Sequence, residues 1–184
     1  MFNKVFIVIA ITVFLVGCTA GPASVQAKYQ PLFRFADVAS YGLYNRNEAF
    51  NDYQSLSDAF RNDIELAIER TMDEKGYQFK DQEQADVILT YYWLKQDMRE
   101  FKAYNHGINF CSYCLNHSSS NSKADRLKIR PNTLIIDALN RKTKRSVWRS
   151  YYPLTIKEKE NSQQTQAKIR QAVTIMLDKF GKNK

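Results

Sequence analysis

Glycine and proline are scarce in this 184-residue chain, at 6 and 4 residues. That scarcity excludes collagen-like repeats and Pro/Gly-rich low-complexity sequence. Histidine occurs twice and cysteine three times, which leaves few side chains for metal clusters or for base catalysis. Acids number 19 against 27 bases, giving a formal charge of +8. The longest apolar run, Val5 to Val16 with Thr12 its one polar member, falls short of the roughly 20 residues that span a bilayer. Also absent are G-x-S-x-G, H-E-x-x-H, a P-loop and a glycine-rich dinucleotide turn, so no enzyme activity is expected. What the chain has is a core's worth of large side chains. It is 44% hydrophobic with 11 Tyr and 11 Phe, and its length suits one domain of about 100–200 residues.

The first residues, Met1-Phe2-Asn3-Lys4, carry one positive charge ahead of the apolar run, which ends in Gly17 and Cys18. This is the layout of a secretory signal peptide. Leu15-Val16-Gly17-Cys18 resembles the bacterial lipobox. The resemblance implies that residues 1–17 are removed and that Cys18 is lipidated on its thiol and acylated on its new amino group. Several acyl chains hold a protein stably where one does so only marginally. Cleavage removes Lys4 and no acid, lowering the charge by one. Thr19 after the cysteine, by the enterobacterial sorting rule, favours the outer membrane, with the domain facing the periplasm. Residues 18–30 then form the lipidated cysteine and a tether, and 31–184 a single domain.

Two cysteines remain, Cys111 and Cys114, and in an oxidising compartment a disulfide is their default fate. The two histidines flank them, so the segment also reads His106-x4-Cys111-x2-Cys114-x2-His117. Four zinc-competent side chains in one short loop make a zinc site the alternative, although such sites usually join ligand pairs from separate elements. Unpaired or partner-linked thiols are the remaining option. Leu115 follows Cys114 where covalent c-type haem needs His, and the polar sequence after Cys114 does not offer the helix N-terminus that redox exchange needs.

Along the mature chain, Leu32–Val38 is aromatic and β-prone, with a second extended piece near Tyr41–Tyr44. From Ser55 or Ser57, Leu56, Phe60, Ile64, Ile68 and Met72 recur every four residues up to Gly76, the pattern of a capped amphipathic helix. Ala85–Leu94 is apolar on both alternating sets, as a central strand would be. Residues 102–130, with five serines and several Asn, read as a long loop. Thr133–Leu139 and Arg145–Tyr152 across a polar turn predict a hairpin. Asn161 or Ser162 caps a last helix with Ile169, Ala172, Val173, Met176, Leu177 and Phe180 on one face. The expected fold is α+β: a two-layer sandwich, with a mainly antiparallel sheet of four to five strands and two amphipathic helices on one face.

Several short motifs then combine: Asp37-x-x-x-Tyr41, Glu74-Lys75-Gly76-Tyr77, Ala85-Asp86-Val87, Thr133-Leu134-Ile135-Ile136-Asp137 and Ser146-Val147-Trp148-Arg149. With the lipobox they make the chain, from about Phe33 to Phe180, similar to the bacterial lipoproteins of the domain of unknown function 4136 family. The resemblance implies a small α+β envelope lipoprotein and brings no activity with it. The Cys/His cluster departs from the family pattern.

Asp37, Asp86 and Asp137 lie at or in strands; Asp137 is expected to pair with a hairpin base, Arg145 or Arg149. The bases cluster as Lys123, Arg126, Lys128 and Arg130 before the hairpin, and as Arg141, Lys142, Lys144, Arg145 and Arg149 in its turn and second strand. The hairpin set is the candidate anion-binding site. Nucleic acid is not a partner an exported lipoprotein meets; lipid phosphates, lipopolysaccharide or anionic cell-wall polymers are. The sequence thus predicts a lipid-anchored, non-catalytic envelope protein that binds or scaffolds an anionic or protein partner. The alternative is a periplasmic metal-binding protein.

Overall fold

The computed structural model describes residues 25–45, 56–95, 98–111, 114–115 and 130–181. Cys18, His117, Lys123, Arg126 and Lys128 lie outside the described residues. Six strands form one open sheet: β1 (Gln26–Tyr29), β2 (Ser40–Leu43), β3 (Gln78–Phe79), β4 (Val87–Leu94), β5 (Thr133–Asn140) and β6 (Ser146–Pro153). Their order is β1-β6-β5-β4-β2-β3. β4, β5, β6 and β1 pair antiparallel, whereas β2 runs parallel to both β3 and β4. Three helices accompany them: α1 (Asp58–Glu74), α2 (Met98–Gly107) and α3 (Ser162–Leu177).

α1 forms where the four-residue repeat places it. The Ser57 side chain accepts from the Phe60 N–H, satisfying one orphan donor of the first turn. At the other end Gly76 adopts φ +82°, its N–H bonds Asp73 O, and the Tyr77 N–H bonds Met72 O. That pair of bonds is the Schellman stop, for which glycine has no steric penalty. α3 opens with a reciprocal capping box between Asn161 and Gln164. Ile64, Ile68 and Met72 of α1 and Ile169, Val173 and Met176 of α3 are fully buried together with Val87, Leu89, Leu134, Ile136 and Trp148 from one sheet face. Burying each such aliphatic side chain contributes about 1.5–3 kcal/mol.

The opposite sheet face is also covered. Ile88, Tyr92, Leu94, Ile135, Leu139 and Tyr151 form a second cluster with Phe101, Tyr104 and Ile108. The alternation of side chains along a strand puts this set on the face away from α1 and α3. The fold is therefore α+β as expected, with the two expected helices, α1 and α3, on one face. It has six strands in a mixed sheet, however, and a third helix, α2, covers the second face, so that it is not a two-layer sandwich. Residues 98–107, which fall largely within the expected loop, are helical because Phe101, Tyr104 and Ile108 bury one stripe against β4 and β5. Residues 26–29, expected as tether, form an edge strand because β6 offers them an open ladder, Gln26 facing Tyr151 and Tyr29 facing Trp148. Within the expected strand Leu32–Val38 a short 3-10 turn, Phe35–Asp37, occurs instead. Of these residues, Phe35 and Val38 enter the main core.

Candidate functional site

Cross-strand register lines up three polar residues on the α2 face. Thr90 of β4 pairs with Asp137 of β5, which pairs with Arg149 of β6. A β-bulge near Ala138 and Leu139 gives β6 one extra residue. Val147 and Trp148 therefore both enter the α1–α3 core, and Ser146 returns to the Asp137 side. Asp137 Oδ1 accepts from Arg149 Nε at 2.7 Å and from Ser146 Oγ at 2.6 Å, and Oδ2 accepts from the Tyr104 hydroxyl at 2.8 Å. Asp137 and Arg149 are both 0% exposed. Burial works against the Arg149 charge, but the Asp137 carboxylate beside it outweighs this and holds the guanidinium protonated. Burial, with Asp137 next, pushes the Tyr104 phenol well above its ordinary value.

Phe110 closes this centre. Asn109 ends α2 in the left-handed region at φ 47°; its N–H bonds His106 O, and the Phe110 N–H bonds Asn105 O at 2.8 Å. This Schellman geometry seats the Phe110 ring 3.5 Å from Arg149 Cζ, with Phe101, Tyr104 and Tyr151 about the same group at 5.8–5.9 Å. Among the described residues neither terminal nitrogen of Arg149 has a hydrogen-bond partner. The expected pairing of Asp137 with a hairpin base holds, and the base is Arg149. Its place among the anion-binding residues is corrected: a fully buried, ion-paired guanidinium does not reach a surface ligand. Asp137, equally buried, engages its carboxylate in three hydrogen bonds inside the fold.

The other two aspartates are engaged elsewhere. Asp86 Oδ2 accepts from the Ala39 and Ser40 N–H groups at 3.0 and 2.9 Å and from Ser40 Oγ at 2.7 Å. Partial burial opposes its charge, but the Ser40 hydroxyl, these backbone bonds and nearby Lys80 together hold the carboxyl below its usual value. Asp37 pairs with Arg34 at 2.9 Å on the surface.

Cys111 and Cys114 are joined in a disulfide, with Cα atoms 5.2 Å apart. Their sulfurs are bonded to each other, so they do not fit the zinc reading, which needs both as thiolates. His106 sits exposed in the last turn of α2. Among the described residues no group of three or more His, Cys, Asp and Glu is placed to hold a metal ion.

The remaining hairpin bases are at the surface. The β5–β6 turn is built on Asn140, whose Oδ1 accepts from the Lys142 and Thr143 N–H groups at 2.9 and 3.1 Å. Lys144 takes φ 53°, and Arg141 donates to Glu83 O at 2.9 Å. Lys142 and Arg145 are exposed. Beside this turn lies an open cleft of about 550 Å³ lined by Gln30, Leu32, Phe33, Asn109, Asn140, Thr143 and Arg145. Gln30, Asn109 and Asn140 carry no functional signal in the sequence; they lie far apart along the chain, and no local pattern joins them.

The family model for a domain of unknown function, DUF4136, matches residues 25–180. The chain belongs to that family. The match begins ahead of β1, so the edge strand is part of the DUF4136 domain, earlier than the Phe33 start expected from motifs. A crystal structure of a DUF4136 protein from Bacteroides thetaiotaomicron superposes with a TM-score of 0.54 at 19% identity, covering 88% of this chain and 98% of that one. A PDZ domain protein from Parabacteroides distasonis superposes with a TM-score of 0.52 at 12% identity, over 88% of this chain and 36% of that one. At such identities the likeness is one of fold. No curated protein matches the chain.

Proposed function

We propose that this DUF4136 protein is a lipid-anchored, non-catalytic component of the cell envelope whose β5–β6 turn binds an anionic surface or polymer at the outer membrane. The observation that carries the reading is the turn itself. It places Arg141, Lys142, Lys144 and Arg145 within five residues at one end of the sheet, and among the described residues no acid lines the cleft beside it. The lipobox ending in Cys18 supports the anchor. The engagement of Asp37, Asp86 and Asp137 in separate structural bonds supports the absence of catalysis.

Each basic residue near an anionic surface is worth about 1 kcal/mol. Lys142→Glu with Lys144→Glu should therefore weaken cosedimentation with phosphatidylglycerol vesicles at low salt by about thirtyfold or more. Exposed electrostatic contacts are strongest at low salt, so an unchanged bound fraction there overturns the reading. In cells, Cys18→Ser should move the protein from the membrane fraction to the soluble fraction.

A further inference from the structure

We infer that the cleft beside the β5–β6 turn is a binding site for an acidic sugar, a pyranose unit carrying a carboxylate. This inference rests on the proposed anion-binding role of the turn and names the ligand class. Three segments distant in sequence build the cleft: the stretch after β1 (Gln30, Leu32, Phe33), the C-terminal cap of α2 (Asn109) and the turn (Asn140, Thr143, Arg145). Its volume, about 550 Å³, falls within the roughly 300–1,000 Å³ of small-ligand sites.

The lining chemistry is mixed in a way a bare phosphate does not require. Three planar amides and one hydroxyl supply neutral donors and acceptors at several points around the opening, which suits a ligand with many hydroxyl groups. Asn140 Oδ1 is occupied by the turn, so its contribution is the amide nitrogen as donor. Arg145 supplies the one cation of the lining among the described residues, and a guanidinium fork pairs with a carboxylate bidentately. Leu32 is 89% exposed and, with Phe33, gives the cleft an apolar patch that the C–H face of a sugar ring would cover. A lipid phosphate, by contrast, would meet Lys142 and Lys144 as point charges and gain little from the amides.

The test uses the full chain in detergent micelles, titrated calorimetrically with a panel of galacturonate, glucuronate and mannuronate oligomers. A neutral glucose oligomer is the control, and phosphatidylglycerol vesicles are assayed in parallel. Binding to at least one uronate oligomer and not to the neutral one is expected. Arg145→Gln should lower that affinity tenfold or more while weakening vesicle binding by about the fivefold that one basic residue is worth. Gln30→Ala should lower the uronate affinity severalfold with vesicle binding unchanged. Lys142→Glu with Lys144→Glu should show the reverse balance. Vesicle binding without binding to any uronate overturns the sugar site and leaves the anionic-surface role standing. Loss of both overturns both. Uronate binding that Arg145→Gln and Gln30→Ala leave unchanged, with their circular dichroism native, places the sugar elsewhere and also overturns the inference.

Discussion

Replacing Asp137 by Ala should destabilise the domain by about 3–5 kcal/mol, the cost of breaking a buried ion pair by removing one partner. The structure shows why the cost belongs at that level. Arg149 is 0% exposed, its terminal nitrogens have no hydrogen-bond partner among the described residues, and Asp137 is its partner at Nε. Without the carboxylate, the guanidinium keeps its charge among Phe101, Tyr104, Phe110 and Tyr151, and the Tyr104 and Ser146 hydroxyls lose the carboxylate they donate to. A protein of ordinary stability has about 5–15 kcal/mol in hand, so the variant would sit near the limit of folding. At about 2–4 °C per kcal/mol for a domain of this size, its Tm should fall by about 6–20 °C. The decisive comparison is Asp137→Leu with Arg149→Met, which removes both charges and replaces them with apolar volume. It should recover much of the loss, falling short of the native protein by about 1–3 kcal/mol because the buried Tyr104 and Ser146 hydroxyls still lose the carboxylate. Urea unfolding followed by the fluorescence of Trp93 and Trp148 measures all three proteins. A single-variant loss below about 1 kcal/mol, or a double variant as unstable as the single one, would refute the claim that an uncompensated buried charge sets the cost.

The Asp86 bonds to Ala39 and Ser40 tie the start of β2 to β4. Because they hold the folded carboxyl below its ordinary value of 3.8, their contribution is complete above that value and fades as pH falls through the lower folded one. The Tm difference between the native protein and Asp86→Asn should therefore be full at pH 7 and shrink below about pH 4; a difference that grows on acidification contradicts this. For the cysteines, protein from an oxidising periplasm should be lighter than its reduced form by two hydrogens and should retain no zinc in native mass spectrometry. Cys111→Ser with Cys114→Ser should cost about 2 kcal/mol or less, since the closed loop is short. Free thiols with a retained zinc would restore the metal reading.

Elements written in local pattern are legible in the sequence. The four-residue repeat with Ser57 and Gly76 at its ends specifies α1, and Asn161 with the Ile169–Phe180 stripe specifies α3. The apolar runs either side of the Asn140 turn specify the β5–β6 hairpin. Helix periodicity and capping are properties of neighbours within a turn or two, so sequence alone determines them. The basic turn is likewise legible, since its residues adjoin in the chain.

The second layer is not. α2 carries only Phe101 and Tyr104 as buried residues, with Ile108 just past its end, and finishes in Asn-His-Gly, a weak signal whose helix is stabilised by the sheet face it covers. That covering turns Arg149 from a hairpin base into a core residue: a strand alternates its side chains between two faces, but only tertiary packing decides whether both faces are dry. The same dependence hides Gln26–Tyr29, four residues that become a strand because β6 presents an unpaired edge. It also hides the cleft, whose amides come from three segments far apart in the chain. What sequence determined here is what short-range periodicity can encode. Register, burial of charge and the meeting of Gln30, Asn109 and Arg145 were decided only when the sheet brought distant strands and helices together.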